Sequence, residues 1–245
     1  MADDGFITYD ELRCPGLDPA LWMPARLPLP TGAEHTPLDP NTRVTVGDGE
    51  VRVTIPRFSL AHDTFQAVDS VKHLTLSTRE FEVPADRPAT FAADLAVENI
   101  GGDPADYRRG IAAFQVAALD DRRLVFSVAE TSARVLALHE QLAPGGPRAP
   151  FVHVIESPYE DFDDDFTRLR ACEITLDRRS SSALWRVDGR TVYEAFGTSI
   201  PERVRLAIGI YTMLPIRDGR SRSLGGQGID ARWGRFRVRD APGVR

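Results

Sequence analysis

The 245-residue sequence predicts an all-β protein built as a two-sheet antiparallel sandwich. Three observations support this fold class. Apolar residues recur with a period of two in short runs, which is the spacing of a strand with one buried face. Clusters of glycine, proline and aspartate separate the runs, as turns require. The sequence has no stretch that keeps a helical period of 3.6 residues for three turns.

The clearest strand pattern lies in residues 183–238 and predicts four strands. Trp185 and Val192 stand on either side of Asp188-Gly189, a strong hairpin signal because glycine tolerates positive φ in a tight turn. The alternation predicts that Trp185 lies in the core. A final strand carries Trp233 and closes the fold.

The strand between these two, Val204–Thr212, has two unlike faces. One face is bulky and aliphatic, so it is expected to pack in the core. The other face is small and ends in an aromatic ring, which leaves space for a ligand; it consists of Arg205, Ala207, Gly209 and Tyr211. A matching small face in an earlier run consists of Ala113, Gln115 and Ala117.

Earlier runs follow the same period: Arg43–Val46 and Val51–Ile55 around Gly47-Asp48-Gly49, Val71–Val83, Thr90–Glu98, Ile111–Leu119, Leu124–Glu130, Arg134–Glu140, Phe151–Glu156 and Arg170–Leu176. In Val71–Val83, Leu74 and Leu76 share the face opposite His73. In Arg134–Glu140, the neighbours His139 and Glu140 face opposite ways.

Residues 1–245 are predicted to form one domain, because no repeat or linker divides the chain. Residues 1–43 are rich in proline, which removes a hydrogen-bond donor from a strand. This segment is therefore expected to wrap the sandwich rather than enter the middle of a sheet.

Composition excludes several classes of protein. A net charge of −6 without a basic patch argues against nucleic acid as a partner. The N-terminus lacks the apolar core of a signal peptide, and no run approaches 18 apolar residues, so a cytoplasmic protein without membrane contact is predicted. Cys14 and Cys172 are far apart and are expected to be free thiols. Lys72 is the only lysine among the basic residues, and this arginine bias is typical of GC-rich bacterial genomes.

The segment Trp185-Arg-Val-Asp-Gly-Arg-Thr-Val-Tyr and the closing Ala231-Arg-Trp-Gly-Arg-Phe-Arg-Val resemble the concanavalin A-like lectin/glucanase superfamily, especially family-16 glycoside hydrolases. The resemblance implies a jelly roll in which one sheet forms a concave cleft. Phe6-Ile-Thr-Tyr-Asp and His62-Asp-Thr-Phe-Gln also resemble an uncharacterised actinobacterial family. That second resemblance implies no activity.

The hydrolases that the sequence resembles carry their catalytic carboxyl groups as E-x-D-x-E or E-x-D-x-x-E on one strand. No such pattern occurs here, and the strand Leu124–Glu130 offers only Glu130. Glycoside hydrolysis needs two carboxyl groups that flank the scissile bond. The sequence therefore predicts the fold without the hydrolase chemistry.

Other chemistries leave few candidates. No metal-binding pair of histidines, nucleotide fingerprint or nucleophile elbow is present, so no metal and no cofactor are predicted. The acidic loop Glu160–Asp165 is either a calcium site or, more simply, a solvated loop. A histidine beside a carboxylate is a plausible acid–base pair near neutral pH, although such side chains also cap turns. The proposed proton-transfer groups are His62, Asp63, His73 and Glu130, and the proposed ligand-binding groups are Gln115, Tyr211, Gln227 and Arg205.

Three functional classes remain open. The favoured class is a cofactor-independent cyclase or isomerase of bacterial specialised, polyketide-type metabolism that orients or protonates an apolar small molecule in the cleft. The alternative is a carbohydrate-binding module or degenerate glycosidase, which rests on fold analogy. The third class is a structural or interaction protein. The missing secretion signal, the missing catalytic acids and a cleft floored by alanine, glycine and glutamine favour the first class.

Overall fold

Two stacked antiparallel sheets form the body of the protein, which confirms the predicted sandwich. The coordinates are a computed structural model that describes residues 5–29, 32–118, 123–142, 150–159, 162 and 165–244. The strands are β1 (Ile7–Asp10), β2 (Trp22–Pro24), β3 (Leu27–Pro28), β4 (Glu34–His35), β5 (Arg43–Gly47), β6 (Glu50–Ile55), β7 (Val71–Ser77), β8 (Glu80–Glu82), β9 (Ala89–Ile100), β10 (Ile111–Ala118), β11 (Leu124–Glu130), β12 (Val135–Gln141), β13 (Phe151–Glu156), β14 (Arg170–Asp177), β15 (Ser182–Val187), β16 (Arg190–Phe196), β17 (Arg203–Tyr211), β18 (Gly228–Arg239) and β19 (Gly243–Val244).

One sheet has the strand order β16-β15-β14-β9-β18-β6-β5, and β1 pairs with β18. The other has the order β13-β12-β11-β10-β17-β7-β2, with β8 and β19 joined to it through β17. A short helix, α1 (Gln66–Ser70), precedes β7, and a 3₁₀ turn covers Tyr107–Arg109. Within the described ranges, no helix is long and apolar enough to cross a membrane.

The predicted hairpin turns have the geometry that their sequences require. Asp48 and Gly49 have φ of 55° and 77°, and Asp188 and Gly189 have φ of 49° and 77°. Two consecutive positive φ values define a type I′ turn, whose twist matches that of the flanking strands. These turns connect β5 to β6 and β15 to β16.

The main core lies between the sheets. Trp185 and Trp233 from one sheet and Phe114 and Phe126 from the other are fully buried there. The placement of Trp185 confirms the prediction. Cys172 is buried and Cys14 is exposed, and both are free thiols.

One expectation needs correction. The run Val71–Val83 is not one strand, because the chain leaves β7 after Ser77 and forms β8, which pairs with another part of β17. The proline-rich segment 1–43 contributes β2 at one end of the nine-stranded sheet, and β1 alongside β18.

Candidate functional site

The candidate site is the face of the nine-stranded sheet that points away from the other sheet, here called the cleft face. Strand register arranges its side chains in rows, because paired residues point the same way. The rows are Val152–Glu140–Val125–Ala117–Arg205, then Val154–Leu138–Ser127–Gln115–Ala207–Leu76, then Leu136–Ala129–Ala113–Gly209–Leu74, and finally Ile111–Tyr211–Val71.

Residues from each of these rows form the floor of a cavity of about 610 Å³. Its lining is mostly aliphatic; examples are Leu74, Ile111, Val125, Leu138 and Met213. The size and the apolar lining are those of a pocket for a small organic molecule. Polar side chains are a minority of this lining and include Gln115, Glu140 and Tyr211.

A hydrogen-bonded polar group lies near the centre of the floor. The hydroxyl of Tyr211 donates to Oε1 of Gln115 at 2.5 Å, and Nε2 of Gln115 donates to Oγ of Ser127 at 2.9 Å. The Tyr211 ring lies over Gly209, where a Cβ atom would come within 2.2 Å of the hydroxyl oxygen. Gly209 therefore provides the space in which the Tyr211 ring lies flat on the sheet.

Glu140 is the only acidic residue among the described residues that line this cavity. It is partly buried between Val125 and Val152 on neighbouring strands. Burial among apolar side chains raises the pKa of Glu140 from 4.5 to about 7. No hydrogen bond links its carboxyl group to any other described residue. Glu140 is thus a carboxyl group that can hold or release a proton near neutral pH.

Glu140 and Tyr211 also influence each other. Burial raises the pKa of Tyr211 well above its ordinary value, and the negative charge of Glu140 adds to this effect. Tyr211 therefore stays protonated at neutral pH and acts as a hydrogen-bonding group. Between the two, Glu140 is the group suited to proton transfer.

Glu140 was not among the proton-transfer candidates from the sequence, although a signal for it exists. It shares a strand face with Leu136 and Leu138, and a carboxyl group in such an apolar stripe is costly to bury as an anion. Histidine–carboxylate pairs are the stronger signal near neutral pH, and the predicted proton-transfer groups follow that signal.

Three of the predicted ligand-binding residues lie on the cleft face. Gln115 and Tyr211 line the main cavity, and Arg205 lies at the end of its row, where it lines a second pocket. The fourth, Gln227, does not line either pocket. Its amide donates to the carbonyl oxygens of Arg109 and Ser223 and accepts from Gly225 N, so it joins loops inside the protein.

The predicted pair His62 and Asp63 lies outside the lining of the main cavity. Nδ1 of His62 accepts the backbone N–H of Phe65 at 3.0 Å, so the ring caps a turn. Oδ1 of Asp63 accepts the backbone N–H of Ser221 at 2.8 Å. Their roles in the structure are those of loop-stabilising side chains.

His73 faces the inside of the sandwich and not the cleft, because it pairs with Ile210 of the main core. Its Nε2 lies 3.2 Å from Oγ1 of Thr75, and burial lowers the pKa of His73 to about 4. The neutral ring cannot serve the cleft. The neighbouring Lys72 is buried and donates to carbonyl oxygens of Leu60 and Asp69.

Glu130 also lies between the sheets, which corrects the expectation that it faces the cleft. The strand alternates, so Glu130 shares its face with the core residues Phe126 and Val128. Its Oε2 lies 3.3 Å from Nη1 of Arg170, which reaches across from the opposite sheet. The two side chains are fully buried and paired with each other, and burial raises the pKa of Glu130 to about 8 despite the opposing effect of Arg170.

The structure gives no metal site within its described ranges, where no three histidine, cysteine or acidic residues are grouped for ligation. Most of the acidic loop lies outside those ranges, since Glu160, Asp161, Asp163 and Asp164 are not described. The predicted alternatives for that loop therefore stay as stated.

Comparison with known proteins identifies a family and a fold. A model described as "Family of unknown function (DUF6081)" matches residues 22–242. No curated protein sequence matches the chain.

Solved structures with the same fold include several glucanases. The endo-1,3-β-glucanase from Streptomyces sioyaensis has a TM-score of 0.62 at 13% identity, covering 98% of both chains. The Bacillus licheniformis β-glucanase has a TM-score of 0.57 at 11% identity, covering 97% of this chain and 99% of that one. LamAcat from Zobellia galactanivorans has a TM-score of 0.58 at 11% identity, covering 94% and 96%. These likenesses confirm the concanavalin A-like jelly roll.

Proposed function

The chain belongs to the DUF6081 family, whose function is unknown, and from its cleft we propose a cofactor-independent cyclase or isomerase of bacterial specialised metabolism. Its substrate is an apolar small molecule, of polyketide type, that lies on the cleft face. Glu140 protonates or deprotonates this molecule, and Gln115 and Tyr211 orient it.

The observation that carries the proposal is Glu140, the one carboxyl group in the described lining of a mostly apolar cavity, with a pKa of about 7. A catalytic acid or base works best when its pKa lies near the working pH. Such a group typically contributes about 10²–10⁴-fold in rate. The apolar walls favour the neutral form of Glu140, so it can donate a proton to a ligand oxygen or carbon.

The hydrogen-bonded side chains of Tyr211, Gln115 and Ser127 on the cavity floor support the proposed role in orienting the ligand. Gln115 uses one N–H for Ser127 and its carbonyl oxygen for Tyr211. Its second N–H has no partner among the described residues and can bind a carbonyl oxygen of the ligand. Holding a flexible molecule in a reactive shape can remove up to about 7–11 kcal/mol from a barrier in favourable cases. The proposed cyclisation therefore relies on the shape of the cavity and on these polar positions, and it needs no redox step.

Carbohydrate binding is the second candidate, and the glucanase fold of the structural neighbours favours it. The lining of the cavity argues against it. A sugar presents many hydroxyl groups, and a buried hydroxyl without a partner costs about 1–3 kcal/mol. An aliphatic wall of this kind cannot satisfy them.

A displacement experiment distinguishes the two candidates. The neutral fluorescent probe 1-N-phenylnaphthylamine should bind the wild type, and Ala117→Phe should weaken binding because its ring fills the floor of the cavity. Phe196→Ala is the control, since Phe196 is exposed on the other sheet. Laminarin oligosaccharides should not displace the probe. Displacement by the sugar, or equal probe binding by Ala117→Phe, would contradict the proposal.

A test of the proposed catalytic activity requires the natural substrate. Deletion of the gene should cause a linear or uncyclised intermediate to accumulate in the producing cell. The purified protein should convert that intermediate, and Glu140→Gln should lower the rate about 10²-fold or more. An unchanged metabolite profile would remove the support for a biosynthetic role.

A further inference from the structure

A second pocket on the cleft face has a different chemistry from the main cavity. It measures about 480 Å³ and is lined by Met23, Pro24, Arg26, Thr36, Leu76 and Arg205. Leu76 also lines the main cavity, so the two pockets adjoin. The described lining contains two guanidinium groups and no carboxyl group.

Arg205 is held in place from one side. Its Nη1 donates to the backbone oxygens of Ser77 and Thr78, and its Nη2 lies 3.3 Å from Oε1 of Glu80. A guanidinium group has five N–H donors. Three of them are used among the described residues, which leaves two donors on a positioned cation. Two N–H groups of one guanidinium are the usual partners of a carboxylate.

Arg26 adds positive charge at the same pocket. Its Nη1 lies 3.2 Å from Oε2 of Glu34, and both side chains are largely exposed. An exposed ion pair of this kind contributes little to stability and exchanges partners readily. Arg26 can therefore turn toward an anion that Arg205 has bound.

The distance between Arg205 in the second pocket and Glu140 in the main cavity follows from the strand spacing. Both residues belong to the row that also contains Val125 and Ala117, so three strand spacings separate their backbones. At 4.7–4.9 Å per spacing, this distance is about 14 Å. The floor between them is apolar. A molecule with an apolar body and an anionic end matches this order of groups.

We propose that the substrate is an amphipathic carboxylic acid whose carboxylate binds Arg205, with Arg26 as a second contact, while its apolar body occupies the main cavity. This proposal rests on the proposed function, because it assigns one end of the same ligand. Arg205 is thereby a specificity-determining residue. Neutral molecules of the same shape bind through the apolar cavity alone.

The test compares dodecanoic acid with dodecan-1-ol as competitors for 1-N-phenylnaphthylamine at pH 7.5. The wild type should bind the acid about tenfold or more tightly than the alcohol, since a charge-assisted hydrogen bond is about twice as strong as a neutral one. Arg205→Met should abolish this preference, so that the acid and the alcohol compete with the probe equally well. Arg205→Lys, which retains charge but not the two parallel donors, should keep part of it.

Several outcomes would overturn the proposal. Equal affinity for acid and alcohol in the wild type would do so, even if Arg205→Met failed to fold, and so would a preference that survives in Arg205→Met. In both cases the apolar cavity would still bind, and the proposed function would stand. Failure of the probe and of both competitors to bind would instead contradict the proposed function. Arg26→Met, which leaves the anchoring of Arg205 intact, should reduce the preference only in part.

Discussion

At the scale of residues, alternation along a strand decides which acidic groups can take part in chemistry. Glu130 and Glu140 both end predicted strands, yet one faces Arg170 inside the sandwich and the other faces the cavity. Burial raises the pKa of both carboxyl groups. Only Glu140 combines this shift with access to a ligand. Whether a carboxyl group can reach a ligand therefore depends on which face of its strand the residue occupies, and not on the residue type alone.

Gly209 is predicted to control the position of Tyr211. In Gly209→Ala the new methyl group would collide with the ring, so the ring should leave the floor and lose its hydrogen bond to Gln115. We expect binding of 1-N-phenylnaphthylamine to weaken because the displaced ring occupies the cavity. Tyr211→Phe is the matched control, since it removes the hydroxyl and leaves the ring in place. Unchanged probe affinity in Gly209→Ala would contradict this assignment.

The raised pKa of Glu140 predicts a pH-dependent stability difference. Between its ordinary value of 4.5 and about 7, the folded protein holds a proton that the unfolded chain releases. The stability that this proton provides is complete below pH 4.5 and is lost as the pH rises to about 7. Glu140→Gln has no such loss, so the wild type should lose a few degrees of melting temperature relative to the variant between pH 5 and 8.

Thermal unfolding of both proteins across this pH range provides the measurement. The exposed residue Glu194 supplies a control substitution, Glu194→Gln, which should follow the wild type. A constant difference between Glu140→Gln and the wild type at every pH would show that the carboxyl group has an ordinary pKa.

At the scale of elements, the hairpins are the part of the fold whose conformation depends most directly on the local sequence. Gly189 has φ of 77° in the turn between β15 and β16, a conformation that an L-residue reaches only at a cost of about 1–2 kcal/mol. Gly189→Ala should therefore lower the free energy of unfolding by about 1 kcal/mol, as measured in urea. Gly47→Ala is the control, because Gly47 has open space around its Cβ position and no positive φ. Equal effects would contradict the turn assignment.

The sequence predicted the strands and the hairpin turns better than it predicted which distant strands pair with each other. Period-two runs predicted most strands to within a few residues, and Asp48-Gly49 and Asp188-Gly189 predicted their hairpins. The neighbours of β18 were not predictable, because β9 and β6 lie far away in sequence and no local signal encodes long-range register.

The lack of a local signal for long-range register also explains which parts of the candidate site could be predicted. Small faces around Gln115 and Tyr211 could be read from one strand at a time, and the structure places both on the cleft face. The row that joins Glu140 to Arg205 depends on the register of four strands. His62 and Gln227 were misplaced for a related reason: the backbone groups that bind them belong to loops whose shape follows from tertiary contacts.

At the scale of the whole molecule, the fold is that of glucanases, while the cavity is apolar. The strand β11 presents Val125, Ser127 and Ala129 to the cleft, and the described cavity lining has one acidic residue where hydrolysis needs two. The protein is therefore expected to release no reducing ends above background from laminarin, lichenan or agarose. Turnover that Glu140→Gln abolishes would contradict this prediction.

The most direct test of the central claim is a titration of Glu140 itself. Carbon-13 NMR of protein labelled at the glutamate side-chain carboxyl, with Glu140→Gln for assignment, measures its pKa with and without a neutral apolar ligand. We predict a pKa of about 7 in the free protein and a higher value when 1-N-phenylnaphthylamine is bound, because the ligand displaces water from the carboxyl group. A pKa near 4.5 that the ligand leaves unchanged would contradict the account.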